Sequence, residues 1–598
     1  MKHTIKKLTA LLLILCMIMS TVGCFGFDGK FSNETESEQE NNTLQDVTDD
    51  SSFNEFIDEL FRDTVTTDTI TLHSFVQNPA NYGITDYDIT LGRYNLEDLD
   101  GTADITECIN KLQSFDRESL SEQQQITYDQ LLKYLQNELE FCDLYWFSTS
   151  LSPTIGLQVQ LPIVYAEYSL NEEKDVKEYI KLLEDTDEFF KNVIDYETLR
   201  SKNGYFMEDC YVDDIVKQCE EFINSADDGY LISTFDTRVD ALTGLSDEAK
   251  KTYKEQNKNA VKDHVIKGYQ ILVDGLKKLK GTNEYKGGLC NYPNGKKFFE
   301  YLIDDHMGWN KSVDDYDKLL DKHISKNMLA MQGLMLNDST LLDKFDSFKF
   351  SITDPNAMLE DLKKRITVDF PASPTVNYSV KEITKALQDY ASPAMYFIPQ
   401  IDNFKENSIY INPAHSDNST LYTTMAHEGY PGHLYQTTYF MNSNPDLIRT
   451  LIKPGGYVEG WATYVELMSY GYADSGSAEL NTLMALNQAV ILCMYAKVDI
   501  GVNYHNWSAD DVYNYIAGYG FADREIAQEM YDAMVTEPAN YCQYVLGFLG
   551  FCELKNSAQT KLGDKFVLKD FHQYILDMGP VQFDILFERL DAWVEKKK

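Results

Sequence analysis

From about Ser51 onward, apolar residues recur at three- and four-residue intervals. "SFNEFIDELFRDTV", "SLSEQQQITYDQLLKYLQNELEF" and "DVKEYIKLLEDTDEFFKNVIDYETLRS" all show the spacing that gives an α-helix one buried stripe. "DEAKKTYKEQNKNAVKDHVIKGYQILVDGLKKLK" continues the pattern up to a Gly-rich break, "GTNEYKGGLCNYPNG", after which "SVDDYDKLLDKHISKNMLAMQGLM" resumes it. Residues 51–366 therefore read as a helical array. Between Thr367 and Ala414 the pattern changes. "TVNYSV", "AMYFIPQ" and "NSIYINPA" are short, rich in β-branched and aromatic residues, and bounded by Pro, Asn and Asp, which predicts a small sheet. "PGGYVEGWATYVELMSYGY", "SAELNTLMALNQAVILCMYAKVDIGVNY", "SADDVYNYIAGY" and "DREIAQEMYDAMV" then return to helix. The expected fold is mainly α, with a small β-sheet beside one particular helix. Residues 51–366 and 367–598 are expected to form one body around a central cleft.

The chain ahead of Ser51 follows other rules. "MKHTIKK" is a basic start, "LTALLLILCMIM" an apolar core and "STVGC" a small-residue cleavage site, so residues 1–23 read as a signal peptide. Cysteine after Val-Gly resembles a bacterial lipobox, with Thr21 where Leu is usual. Cys24 is then the lipidated first residue of the mature protein, which sits on the extracellular face of the cell membrane, or is secreted if the lipobox is not used. Residues 24–50 are polar and acidic, a tether with too little apolar surface to fold. Over the 598 residues, 95 Asp+Glu against 53 Lys+Arg give a formal net charge of −42, which repels phosphate backbones and argues against nucleic-acid binding. None of the cysteines forms a C-x-x-C pair, which argues against a cysteine zinc site. Cys210 with Cys219 is a candidate local disulfide, and the remainder read as buried thiols.

Candidate chemistry lies in "MAHEGYPGHLYQ". A zinc helix usually reads H-E-x-x-H, because residues four apart differ by only about 40° around a helix. His427 and His433 are six apart, about 120° on a regular helix, and would diverge. Pro431 interrupts a helix, and Gly429 and Gly432 admit backbone angles closed to other residues. Two residues looped out would bring His433 back to the i+4 face. Glu428, directly after His427, stands where a general base stands in the ordinary motif. A catalytic zinc needs a third protein ligand. Glu459 is preferred, because Gly460 beside it leaves room for close approach; Glu466, one heptad on, is the alternative.

"HEGYPGHLYQ", "EGWATYVE", "VDIGVNYHNWS", "YVLGFLGFCELK" and "GDKFVLKDFHQYILDMGPVQFDIL" resemble, in order, the motifs of the domain of unknown function 885 family. That resemblance implies a zincin-like helical fold, distantly similar to thimet oligopeptidase and carboxypeptidase Taq, and a zinc metallopeptidase. It implies one zinc ion per chain on His427, His433 and Glu459, Glu428 as base, and short extracellular peptides as substrates. It further implies Tyr544 as an oxyanion donor, for which the other reading is a core aromatic. Strand "NSIYINPA", with Tyr410 and Asn412, is a candidate for pairing with an extended substrate by edge addition. Asn503 stands where the family more often has histidine, with His505 two residues on, which weakens any role of this pair in holding a substrate carboxylate. Asp499 is a candidate for orienting a zinc histidine, with helix packing as the other reading, and His572 reads as structural. A non-catalytic lipoprotein that binds peptides or glycans is the competing function.

Overall fold

Helices begin where a side chain can replace a missing backbone partner. In the computed structural model, Asp50 Oδ1 accepts from the Ser52 and Phe53 amides and starts helix α1 (Ser51–Val65). Phe53, Phe56, Ile57, Leu60 and Phe61 form its buried stripe. A reciprocal Ser121–Gln124 capping box starts α2 (Glu122–Cys142). The structure describes residues 50–598 except 98, 100, 155, 226–228, 384–387 and 389–391. The signal peptide, the tether and Cys24 lie outside the described residues.

The amphipathic segments become helices, among them α3 (Glu173–Lys202) and α6 (Val313–Asn337), and the helical array also takes in α4 (Asp209–Ser225) and α5 (Gly295–Met307), which no quoted segment covered. Cys210 and Cys219 both lie on α4 and are unpaired. Nine residues of helix separate them by about 13 Å, well beyond the roughly 7 Å Cα spacing that a disulfide spans. The expected local disulfide is thereby corrected.

The three short segments form one sheet in the order β1–β3–β2: β1 (Asn377–Glu382), β2 (Ala394–Phe397) and β3 (Glu406–Ile411). β3 is central, parallel to β1 and antiparallel to β2. The inward residues Ile409 and Ile411 join a core that also contains Tyr422, Met425 and Trp461. Beneath the sheet run α7 (Leu421–Glu428) and α8 (His433–Asn442), followed by α9 (Gly455–Ser469), α10 (Ala478–Asn503) and α11 (Asn540–Leu562). The fold is thus mainly α, with its small sheet against the helix of the histidine motif.

The largest buried cluster takes Phe299, Tyr316, Leu359 and Phe370 together with residues of α7 to α11, so it crosses residue 366. A second cluster is built within residues 91–276, and a third joins α1 and α2 to Ile401, Ile448 and Ile452. Among the described residues α10 alone is long and apolar enough to cross a membrane, yet 61% of its most apolar window is buried inside the protein. It is a core helix.

Candidate metal centre

The first motif helix ends where Gly429 (φ −111°, ψ −99°) leaves helical geometry, and the second starts after Gly432 (φ −83°, ψ −134°). Between them, backbone amides reach six residues back instead of four: Gly432 N–H to Ala426 O at 2.9 Å and Tyr435 N–H to Gly429 O at 3.1 Å. Regular spacing returns with Gln436 N–H to Gly432 O at 2.8 Å. Two residues are therefore extruded, and the helix face continues across the break. The Tyr430–Pro431 peptide is cis. Pro431 O, freed by the extrusion, accepts the indole N–H of buried Trp461 at 2.9 Å. A Cβ at residue 432 would collide with the carbonyl oxygens of Ala426 and His427, so glycine is required there.

His427 and His433 consequently meet, ring centroids 4.7 Å apart and planes at 82°. Glu459 Oε2 lies 3.6 Å from His427 Nε2 and 3.4 Å from His433 Nε2. All three side chains are buried, and their candidate ligand atoms lie within 4.8 Å of one another. Glu459 Oε2 nonetheless makes no hydrogen bond. A buried carboxylate oxygen without a hydrogen bond, facing two imidazole nitrogens, is costly unless a cation binds all three. Donor atoms about 3.3–3.4 Å apart are the edges of a tetrahedron with bonds of about 2.0–2.1 Å, the dimensions of a His₂-carboxylate zinc site. The residues present fit the metal.

Burial would pull the His427 imidazolium down, but Glu459 and Glu466 outweigh it and push it up to about 10. Burial would raise Glu459, but the two histidines outweigh it and hold the carboxyl at about 2. Without metal, His427 is thus an imidazolium among carboxylates, a positive charge whose place a bound cation would take.

Glu466 accepts His427 Nδ1 at 3.0 Å. It orients the ring and leaves Nε2 for the cluster, so of the two candidate ligands Glu459 faces both imidazoles and Glu466 stands behind one. Gly460 does not serve the close approach expected of it. A Cβ there would strike Gly547 of α11, so the glycine allows helices α9 and α11 to cross in contact. That crossing places Tyr544, on α11, with its ring centroid 6.4 Å from His427. Glu428 Oε2 accepts the Tyr396 amide of β2 at 2.7 Å. Sequence reasoning missed that amide and also His306 on α5. Burial pulls His306 down to about 4, with Glu459 pulling the other way. His306 stands 153 residues before Glu459 on an ordinary amphipathic helix, and no local pattern marks it.

Other expected site residues fall elsewhere. Asp499 takes Asn503 Nδ2 at 2.9 Å and the Ala539 amide at 3.1 Å rather than a zinc histidine, and burial pushes it up to about 7. Asn503 is fully buried; it also donates to Met534 O and accepts the Leu289 amide. Together they fix the start of α11, and the orienting role belongs to Glu466. His505 lies 3.9 Å from Asp317, with its side chain 34% exposed. Tyr410 bonds Glu167 at 3.0 Å, and Asn412 is buried against Gln388 O and the Ala414 amide. β3 is paired on both sides, so edge addition to it is excluded; among the described residues the open edges belong to β1 and β2. His572 is structural, bonded to Asp369 O at 2.7 Å and Tyr464 at 3.0 Å.

The profile of a family described as bacterial protein of unknown function, DUF885, matches residues 80–590. The chain belongs to that family. Among solved structures, this DUF885 chain is similar to a "putative lipoprotein" of Colwellia psychrerythraea, 18% identical over 91% of this chain and 99% of that one, with a TM-score of 0.79. A "putative lipoprotein of unknown function" of Shewanella oneidensis is 16% identical over 90% and 98%, with a TM-score of 0.57. A "putative oligoendopeptidase F" of Bacillus anthracis str. Ames is 11% identical over 82% and 92%; at a TM-score of 0.31 that superposition establishes no shared fold. No curated protein matches the chain.

Proposed function

We propose that this protein is a zinc-dependent metallopeptidase that hydrolyses short extracellular peptides. The observation that carries the reading is the convergence of His427, His433 and an otherwise unbonded Glu459 oxygen, despite a six-residue spacing that a regular helix could not close. His427, His433 and Glu459 would hold the ion, and zinc there supplies Lewis acidity toward a peptide carbonyl and toward water. Glu428 accepts a proton from the attacking water and returns it to the leaving amine. The Tyr396 amide fixes one oxygen of Glu428, while the other makes no hydrogen bond among the described residues. The Tyr544 phenol donates to the carbonyl oxygen as charge builds on it. Substrate backbone pairs with the free edge of β2. Residues 51–366 and 367–598 act as one body around the cleft. Cys24 carries a lipid anchor at the extracellular face of the membrane; the lipobox-like start supports this, and the two similar structures bear the lipoprotein description.

Metal analysis and turnover test the reading together. Purified protein should carry one zinc per chain, and Glu459→Ala should lose it. Glu428→Gln should keep the zinc and lose at least about 10³-fold in peptide cleavage. A Glu428→Gln protein that cleaves as fast as the parent would sink the mechanism. A zinc-loaded parent that binds peptides and cleaves none would favour the binding-lipoprotein reading.

A further inference from the structure

Val368 is 77% exposed and Val567 51%, in a body that encloses most of its large apolar side chains. The two are neighbours. Lys569 Nζ donates to Thr367 O at 3.1 Å, which holds the segment "KFVLK" (565–569) against "KRITV" (364–368). A third segment, "VEKKK" (594–598), lies alongside: Lys565 donates to Lys598 O, and Lys597 Nζ meets Asp570 Oδ2 at 2.7 Å. Phe566, beside Val567, and Trp593, just ahead of the third segment, are half-buried aromatics, the kind of ring that suits a membrane–water boundary.

Charge at this corner runs against that of the chain. The three segments hold seven Lys and Arg and a single acidic residue, Glu595. Four of the seven meet carboxylates: Arg365 with Asp361, Lys596 with Glu122, Lys597 with Asp570 and Lys598 with Glu595. Lys364 is exposed and makes no ion pair among the described residues, and Lys569 bonds only the Thr367 carbonyl. Even with the adjoining Asp369 and Asp564 counted, cations are not outnumbered here, whereas the whole chain carries 95 Asp+Glu against 53 Lys+Arg.

The corner also adjoins the place where residues 24–49 join the body. Asp50 is held on Gln124, its amide on Oε1 at 3.0 Å and its carbonyl on Nε2 at 2.9 Å. Glu122, on the same turn of α2, takes Lys596 at 3.7 Å. A tether fixed to a membrane at one end presents most often the surface nearest its other end.

We propose that this corner is a membrane-contact face that docks on anionic lipid, with Val368 and Val567 entering the headgroup layer and the lysines meeting lipid phosphates. It rests on the lipid-anchor reading above for what brings the membrane near. An acidic body is otherwise repelled by the same lipids, so the anchored protein stands on this corner.

Vesicle co-sedimentation of the full mature chain carrying Cys24→Ser, and hence no lipid, tests the face apart from the anchor. At low salt it should partition onto equal mixtures of phosphatidylglycerol and phosphatidylcholine on the order of 10-fold better than onto phosphatidylcholine alone. Salt at about 0.5 M should remove the difference. Lys364→Glu, Lys569→Glu and Lys596→Glu together should lower that partition on the order of 10-fold, and Val567→Asp by about two- to fivefold. The same reversal at three exposed lysines of the N-terminal half, Lys251→Glu, Lys258→Glu and Lys262→Glu, should lower it far less, as should Leu336→Asp on α6. Should the triple variant fail to fold, Val567→Trp takes its place: brominated acyl chains should quench that tryptophan and leave one at Leu336→Trp unquenched, each relative to the parent. Equal partition onto both lipids, equal loss in the control reversals, or no quenching at residue 567 would overturn the proposal. Capture by soluble polyglutamate but not by vesicles would assign the corner to an acidic protein and overturn it too. Mass spectrometry of the unaltered chain tests the anchor separately: a bare Cys24 overturns that reading and leaves the vesicle result to decide this one.

Discussion

Two buried clusters of charge set the helical N-terminal half apart from the half that carries the histidine motif. On α3, Arg200 donates to Glu197 at 2.7 Å and to Trp146 O at 3.0 Å, and the second Glu197 oxygen takes the Thr149 hydroxyl at 2.7 Å. Both Glu197 oxygens there are used, and the arrangement pins a loop to a helix. Around His427, His433 and Glu459 the charges are just as buried, yet they face one another at 3.4–3.6 Å with a carboxylate oxygen left unbonded. Buried charge alone does not mark a site. An unbonded carboxylate oxygen facing two imidazole nitrogens does, because those three atoms can share one ion, whereas a cluster that satisfies itself has nothing left to bind with.

Substitutions in the two clusters should behave differently. Gly432→Val drives a side chain into the carbonyls of Ala426 and His427, and should abolish zinc binding outright, as read by metal analysis of whatever protein folds. Retained zinc would mean the extruded turn is not what aligns the rings. Glu197→Ala strands a buried guanidinium and should cost about 3–5 kcal/mol in denaturant unfolding, with zinc content unchanged in the folded protein. Tyr544→Phe should lower kcat by on the order of 10²-fold with little change in metal affinity; an unchanged kcat would make Tyr544 a core aromatic only. Glu466→Gln should weaken zinc by about 10- to 100-fold in a competition titration, since His427 keeps a neighbour but loses its carboxylate acceptor.

The smallest effect is on pH dependence. His427 is raised from 6.5 to about 10 in the metal-free fold, so its contribution to stability is complete below about 6.5 and lost as pH rises through about 10. Thermal melts of chelator-treated protein should fall across that window, whereas melts of the zinc-loaded form should not. Zinc uptake at pH 7 should release about one proton, measurable in weakly buffered solution.

The helices of the N-terminal half are legible in the sequence because each has water on one side. On α4, Val212, Ile215, Val216 and Cys219 are buried at spacings of three and four, and polar residues fill the rest. Helix α9 is different: Tyr457 through Leu467 are buried without a break, so no stripe tells which neighbour each side chain faces. That is why the sequence points Gly460 at the metal when it faces Gly547, and why, on the equally enclosed second half of α10, it leaves Asp499 open between orienting a histidine and packing a helix. β3 shows the same limit. Its composition predicts a strand, but whether a strand is central or at an edge depends on which partners arrive, and both neighbours arrive here.

The sequence alone determined the helical class, the three strands, the break at Gly-Tyr-Pro-Gly and the identity of the two histidines with the glutamates that flank them. These are local matters of backbone freedom, side-chain spacing and donor chemistry, settled within a few residues. Only the tertiary structure decided which glutamate faces the imidazoles, that Tyr396 holds Glu428, and that His306 stands near Glu459. Those pairings join residues tens to hundreds of positions apart, and contacts at that range come from how whole helices cross, which no short stretch of chain encodes.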